Sequence, residues 1–287
     1  MYLEFYRLQE YPFSLRCDER FFYESPAHAE ALANMLYTIQ QRKGMVLVTG
    51  EVGAGKTFVG HVLRSRLGAG CLTLAMANPP QSPKQLLRAL AKQLGIHLQS
   101  NADKLGIVEE LREHLVRLCS RGRLGAAIID EAQGLPAGAM EEIRLLWNWE
   151  LDGIGLVQIV MIGQPELRRR LHEPQWEPLR QRIALSFHLR QLPAQDTAEY
   201  VRHRLRVAGA GRCLAEFAPE ALAEIHEATG GIPRLINVLC DNALLVGYSR
   251  GTHLIDRPVI TEVLRDMTCW DMLVHRGLAQ PEPVAAG

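Results

Sequence analysis

Residues 50 to 57 read Gly-Glu-Val-Gly-Ala-Gly-Lys-Thr, and they follow the apolar run Met45-Val46-Leu47-Val48-Thr49. No other feature of the chain limits its fold as tightly. A glycine-rich turn between a buried strand and a helix points backbone N–H groups at an anion, and the helix offers its positive end to the same charge. Phe58 to Leu67 reads as that helix, with Val59, Val62, Leu63 and Leu67 at helical spacing. Gly50, Glu51, Val52, Gly53, Ala54, Gly55, Lys56, Thr57 and Phe58 are therefore expected around a nucleoside triphosphate. In such a loop the lysine, here Lys56, reaches the β- and γ-phosphates, and the hydroxyl of Thr57 ligates Mg²⁺. A merely flexible turn would call for neither side chain.

A second half of the site is readable downstream. Ala126-Ala127-Ile128-Ile129-Asp130-Glu131 is an apolar strand ending in two carboxylates. In parallel sheets the carboxyl ends of strands face the crevice where ligands sit, so Asp130 is expected to hold Mg²⁺ through water and Glu131 to act as general base on the attacking water. Taken alone, the same string could be a buried strand capped by solvated acids; the phosphate loop decides between the two.

Charge balances at 32 basic and 32 acidic residues, so no global field draws the chain to nucleic acid or an anionic membrane. A local bias lies between Arg168 and Arg206, with arginines at 168, 169, 170, 180, 182, 190, 202, 204 and 206. That stretch offers a positive surface. The cysteines at 17, 71, 119, 213, 240 and 269 form no C-x-x-C pair, which argues against zinc and for a reducing compartment. Cys71 and Cys119 sit in apolar patterns and read as core residues. Met1 to Arg20 is broken by charges, so no secretory leader is expected there, and the apolar stretch Gly153 to Gly163 is too short to span a bilayer. A cytoplasmic protein is the expectation.

Strand-like runs at 45–49, 71–76, 126–130, 157–162 and 185–189 alternate with helical segments at 58–67, 82–94, 104–120 and 138–150. This alternation predicts an α/β fold with a parallel sheet between helical layers. From residue 193 the pattern is helical only, near 196–208, 219–229, 233–249 and 258–267. The expected domains are a nucleotide-binding core over 1–192, a helical lid over 193–270 and a flexible tail over 271–287.

With both phosphate-site elements in place, the chain resembles the AAA+ ATPases, and within them the ExeA/GspA-type secretion ATPases, related to the pilus-biogenesis protein MshM and more distantly to the TniB/TnsC transposition ATPases. Besides the phosphate loop, the resemblance rests on Tyr11-Pro12-Phe13, Phe21-Phe22-Tyr23, Ile129-Asp130-Glu131-Ala132-Gln133, Gly163-Gln164-Pro165-Glu166-Leu167, Leu179-Arg180-Gln181-Arg182-Ile183 and Gly230-Gly231-Ile232-Pro233-Arg234-Leu235-Ile236-Asn237. It implies a three-layer αβα P-loop sheet with a small C-terminal all-helical lid. It implies ATP as substrate, Mg²⁺ as its companion ion, and hydrolysis to ADP and phosphate. By position, it gives Gln164 the sensing of the γ-phosphate, Arg182 or Arg180 the finger presented to a neighbouring subunit, and Arg234 a lid contact to the γ-phosphate. Pro12 and Phe13, with Tyr11, would cover the adenine ring, and Asn78 would restrain Glu131. Expected partners are further copies of the chain in an ATP-dependent oligomer and a membrane-associated secretion or export protein. Larger family members carry a transmembrane helix and a peptidoglycan-binding region after the lid; neither is found here, so no direct membrane insertion is expected. Nucleic acid is the lesser expectation, through the arginine-rich stretch.

Overall fold

The computed structural model describes residues 1–68, 71–76 and 80–268. The chain divides into two compact units, Cys17–Arg190 and a second made of Met1–Arg16 with Gln191 onward.

The first unit is built on five parallel strands, β1 (Met45–Gly50), β2 (Cys71–Met76), β3 (Leu124–Ile129), β4 (Val157–Gly163) and β5 (Ile183–Leu189). Their order across the sheet is β2-β3-β4-β1-β5, so the phosphate-loop strand lies between β4 and β5. Alternation along β1 sends its side chains to two different cores. Val46 and Val48 join Val160 and Ile162 of β4 under helices α1 (Pro26–Gln40) and α2 (Lys56–Leu67), which contribute Leu32, Met35, Val59 and Leu63. Met45 and Leu47 face the opposite layer, made by α3 (Pro83–Gln93), α4 (Lys104–Ser120) and α5 (Ala137–Trp147), which contributes Leu86, Leu90, Leu111 and Ile143. A buried leucine or isoleucine of this kind contributes roughly 1.5–3 kcal/mol, so the two cores hold the sheet rigid beneath its loops.

The helices begin where their residues supply a cap. Ser25, Ser82 and Asp103 each accept an N–H from the first turn of α1, α3 and α4, and Pro26 and Pro83 occupy first-turn positions where a missing N–H costs nothing. The periodicity that suggested a helix over 138–150 ends at Trp147. A two-residue hairpin follows, Glu150–Leu151 against Ile154–Gly155, turned through Asp152 and Gly153, both at positive φ.

The second unit is helical: α7 (Ala194–Ala208), α8 (Pro219–Thr229), α9 (Pro233–Ser249) and α10 (Arg257–Thr268), after α6 (Pro165–Leu171) of the first unit. A short parallel pairing of Glu216–Phe217 with Leu254–Ile255 ties its connections. The N-terminal residues, grouped with the sheet in the sequence reading, cluster here instead, because their polar and aromatic contacts go to these helices. Tyr2 donates to Asp241 at 2.6 Å, and Tyr6 donates to the Leu244 carbonyl at 3.1 Å. The guanidinium of Arg204, buried on α7, donates to the carbonyls of Pro12 at 2.5 Å and Ser14 at 2.7 Å.

Candidate active site

The phosphate loop leaves β1 at Gly50 and enters α2 at Lys56. Gly53 and Gly55 adopt φ of 81° and 91°, a region that a side chain would strain, so glycine is required at both. Lys56 is buried, and its ammonium donates to the Glu51 carbonyl at 2.8 Å, closing the loop on itself. Burial pulls the Lys56 pKa below its ordinary value, and the nearby charges of Glu131 and Asp130 oppose that shift. The Phe58 ring lies 5.2 Å from that of Phe22.

The two halves found separately in the sequence meet directly. Thr57 donates its hydroxyl to Asp130 Oδ2 at 2.6 Å, across 73 residues of chain. Asp130 stands just past β3, still held to the neighbouring strand by its N–H on the Met76 carbonyl at 2.9 Å. Its other oxygen accepts the Glu131 N–H at 2.9 Å. A hydroxyl and a carboxylate side by side are hard oxygen donors of the kind Mg²⁺ takes with substrate phosphates, and a lysine on the same loop suits the phosphate charge. The residues present therefore fit a Mg²⁺-triphosphate.

Glu131 occupies a left-handed backbone conformation, φ 51° and ψ 34°, uncommon for a residue with a side chain. Gln164, directly after β4, turns its side-chain amide to Glu131 Oε2 at 3.4 Å. Because β4 pairs with β1 in the register Thr49 to Gly163, Gln164 stands beside the start of the phosphate loop. A residue without any role in the sequence reading completes this corner. Gln133 donates to Glu131 Oε2 at 2.5 Å and accepts the Gln164 N–H at 3.1 Å. Spacing could not have found it, since its return toward Glu131 depends on the 3₁₀ turn Ala132–Gly134.

Among the remaining expected residues, Arg180 and Arg182 are engaged within the first unit. Arg182 donates to Asn148 at 3.2 Å and to the Pro178 carbonyl at 2.9 Å, with its guanidinium 5.0 Å from the centre of the Trp147 ring. Arg180 donates to the carbonyls of Leu171 and His172. Arg234 stands in the first turn of α9, and Pro12 and Phe13 precede the helices; all three belong to the second unit. Phe13 is buried there with its ring edge-on to Phe217, while Tyr11 is 58 % exposed. Asn78 lies outside the described residues. The arginine-rich stretch is less available than its count suggested. Arg204 is buried, Arg170 and Arg180 serve backbone carbonyls, and Arg169 and Arg202 pair with Glu166 and Glu199. What remains is divided between the two units.

Residues 39–171 match the family model described as AAA domain. The whole chain aligns at 39 % identity with general secretion pathway protein A of Aeromonas hydrophila, covering 53 % of that relative, so the chain spans about half its length. Among solved structures, the Aeropyrum pernix ORC2 protein in its ADPNP-ADP complexes superposes with a TM-score of 0.67 at 17 % identity, covering 87 % of this chain and 71 % of that one. Cdc6p from Pyrobaculum aerophilum gives 0.70 at 15 % identity, covering 89 % and 70 %. At these identities the structural likeness establishes the fold. Among the described residues no helix is long and apolar enough to cross a membrane.

Proposed function

The chain belongs to the AAA+ P-loop family, on the branch of general secretion pathway protein A, and from that premise we propose that it binds ATP and hydrolyses it to drive or regulate assembly of a cell-envelope secretion or export system. The observation that supports the hydrolytic half is the contact of Thr57 with Asp130 beside Glu131, two candidate metal ligands and a candidate base at one corner of the sheet.

In this reading Lys56 and the loop N–H groups take the phosphates. Mg²⁺ held near Thr57 and Asp130 would supply charge neutralisation at the β- and γ-oxygens. Glu131 orients and deprotonates the attacking water, and the amide of Gln164 reports the γ-phosphate to the end of β4. Arg182, or Arg180, reaches a neighbouring copy and stabilises the charge of the transferring phosphoryl group, which makes turnover depend on assembly. Arg234, Pro12 and Phe13 enter through the family resemblance alone, as lid contact and base cover. The client is a membrane-associated secretion or export protein, proposed from the relative's name.

The test is ATPase rate per protomer against protein concentration, for wild type and Arg182→Ala, with and without duplex DNA. A rate that rises with concentration and falls at least about tenfold in the variant is expected for a finger acting in trans. A rate independent of concentration and unmoved by Arg182→Ala would remove the finger. Stimulation by DNA that fades steeply with salt would replace the secretion client with nucleic acid.

A further inference from the structure

Gln133, in the corner around Glu131, has no part in the hydrolytic mechanism proposed for Lys56, Thr57, Asp130, Glu131 and Gln164. Glu131 has its backbone in the left-handed region, and its carbonyl accepts the Gly134 N–H at 2.9 Å, closing a tight turn in which Ala132 is fully buried. That turn carries Gln133 back over Glu131. The amide then spans two partners of opposite demand: a carboxylate oxygen that needs a donor, at 2.5 Å, and the Gln164 N–H that needs an acceptor, at 3.1 Å. A carboxylate in its place would repel Glu131, and a hydrocarbon would serve neither. The orientation of the amide is fixed by the same logic, since the flipped form would set oxygen against carboxylate and N–H₂ against N–H.

Two further features preserve this arrangement. A Cβ on Gly163 would stand 2.7 Å from Gln133 Oε1 and 2.8 Å from the Leu167 side chain, so the glycine at the end of β4 leaves the space the amide fills. The turn is also anchored from outside. Arg170 donates to the carbonyls of Gln133 and Leu135, with its guanidinium 5.6 Å from the centre of the Trp176 ring.

We propose that Gln133 is a positioning residue for hydrolysis: its amide aims the Glu131 carboxylate and ties it to the backbone N–H of Gln164, so that the base and the γ-phosphate-sensing end of β4 keep one register. This rests on the reading of Glu131 as general base. Gln133 touches neither substrate nor metal in this role; it acts through Glu131.

The experiment measures kcat and KM for ATP hydrolysis, with ATP affinity in parallel, for Gln133→Leu and Gln133→Glu, each in the wild-type chain and in Glu131→Gln. Loss of a positioning contact to a general base predicts that Gln133→Leu lowers kcat roughly 10- to 100-fold while ATP affinity stays within about twofold. Gln133→Glu, of nearly the same shape, keeps the acceptor and sets a like charge beside Glu131; it should be at least as slow, and it stands in should the leucine variant fail to fold. In the Glu131→Gln background, either substitution should change the residual rate by less than about twofold, because residues that act as a unit are not additive. Losses of equal factor in both backgrounds, or a normal kcat in both variants, would overturn the assignment of Gln133 alone. Equal turnover of wild type and Glu131→Gln, or no turnover in either, would overturn the role of Glu131 and this inference with it.

Discussion

Lys56 is a charge kept in a buried place. Its ammonium rests on the Glu51 carbonyl within its own loop, and burial lowers its pKa against the pull of Glu131 and Asp130. A triphosphate would supply that charge with a stronger partner, so Lys56→Ala is expected to weaken ATP binding at least about tenfold, the equivalent of roughly 1.4 kcal/mol, as read by calorimetric titration. An unchanged affinity would remove Lys56 from the phosphate site. Gly163 allows a finer test at the same scale. A methyl there must displace Gln133 or Leu167, so Gly163→Ala should lower kcat while leaving ATP affinity within about twofold. Lys56, Thr57, Asp130 and Glu131 were legible in the sequence because a strand, a glycine turn and a strand-end acid pair have fixed spacings. Gln133 was not: it stands in the Ile-Asp-Glu-Ala-Gln string, but only a local turn of the backbone brings its amide back to Glu131.

At the scale of elements, the most informative contact set lies within the second unit. Arg204 on α7 is buried and donates to the carbonyls of Pro12 and Ser14 and to the Tyr200 hydroxyl, which in turn donates to Asn237 on α9 at 2.8 Å. The final Asn of the Gly-Gly-Ile-Pro-Arg-Leu-Ile-Asn string thus has a structural task, holding the tyrosine that orients the arginine that fixes the N-terminal segment. Removing a buried guanidinium leaves two carbonyls without donors, so Arg204→Met should cost about 2–4 kcal/mol in urea unfolding. A cost below about 0.5 kcal/mol would mean that the segment is held by its aromatic packing alone. The five strands were readable because those in the sheet's interior are buried on both faces and appear as continuous apolar runs. Among the described residues, two helices longer than a single turn have no counterpart in the segments read from the sequence. Pro26–Gln40 carries a serine cap, a first-turn proline and a buried face of Ala31, Leu32, Met35 and Ile39, so its signal was present. Pro165–Leu171 is short and rich in arginine, too brief for its apolar positions, Leu167 and Leu171, to establish a helical period. The placement of Met1–Arg16 depended on contacts more than 190 residues away, which no local pattern carries.

On the scale of the whole molecule, buried thiols and phenols set an alkaline limit, Cys71 and Tyr6 among them with Tyr2, Tyr200 and Cys240. Burial pushes the Cys71 thiol from its ordinary 9.0 up to about 11 and the Tyr6 hydroxyl from 10.0 up to about 12. A raised value in the folded chain means that the unfolded chain ionises first, so the contribution is whole below pH 9 and is lost as pH climbs toward the folded values. Stability read by urea unfolding should fall as pH rises from 9 to 11, and less steeply in Cys71→Ala. The same slope in both would clear Cys71. The proposed function rests at this scale on the convergence of three strand ends, β1, β3 and β4, at one corner of the sheet. Phosphate release from ATP, measured in wild type and Glu131→Gln with nucleotide affinity determined on the same samples, tests this most directly. Turnover that drops at least about a hundredfold in the variant while ATP still binds is the expected result. Equal turnover in the two proteins would mean that the chemistry lies elsewhere.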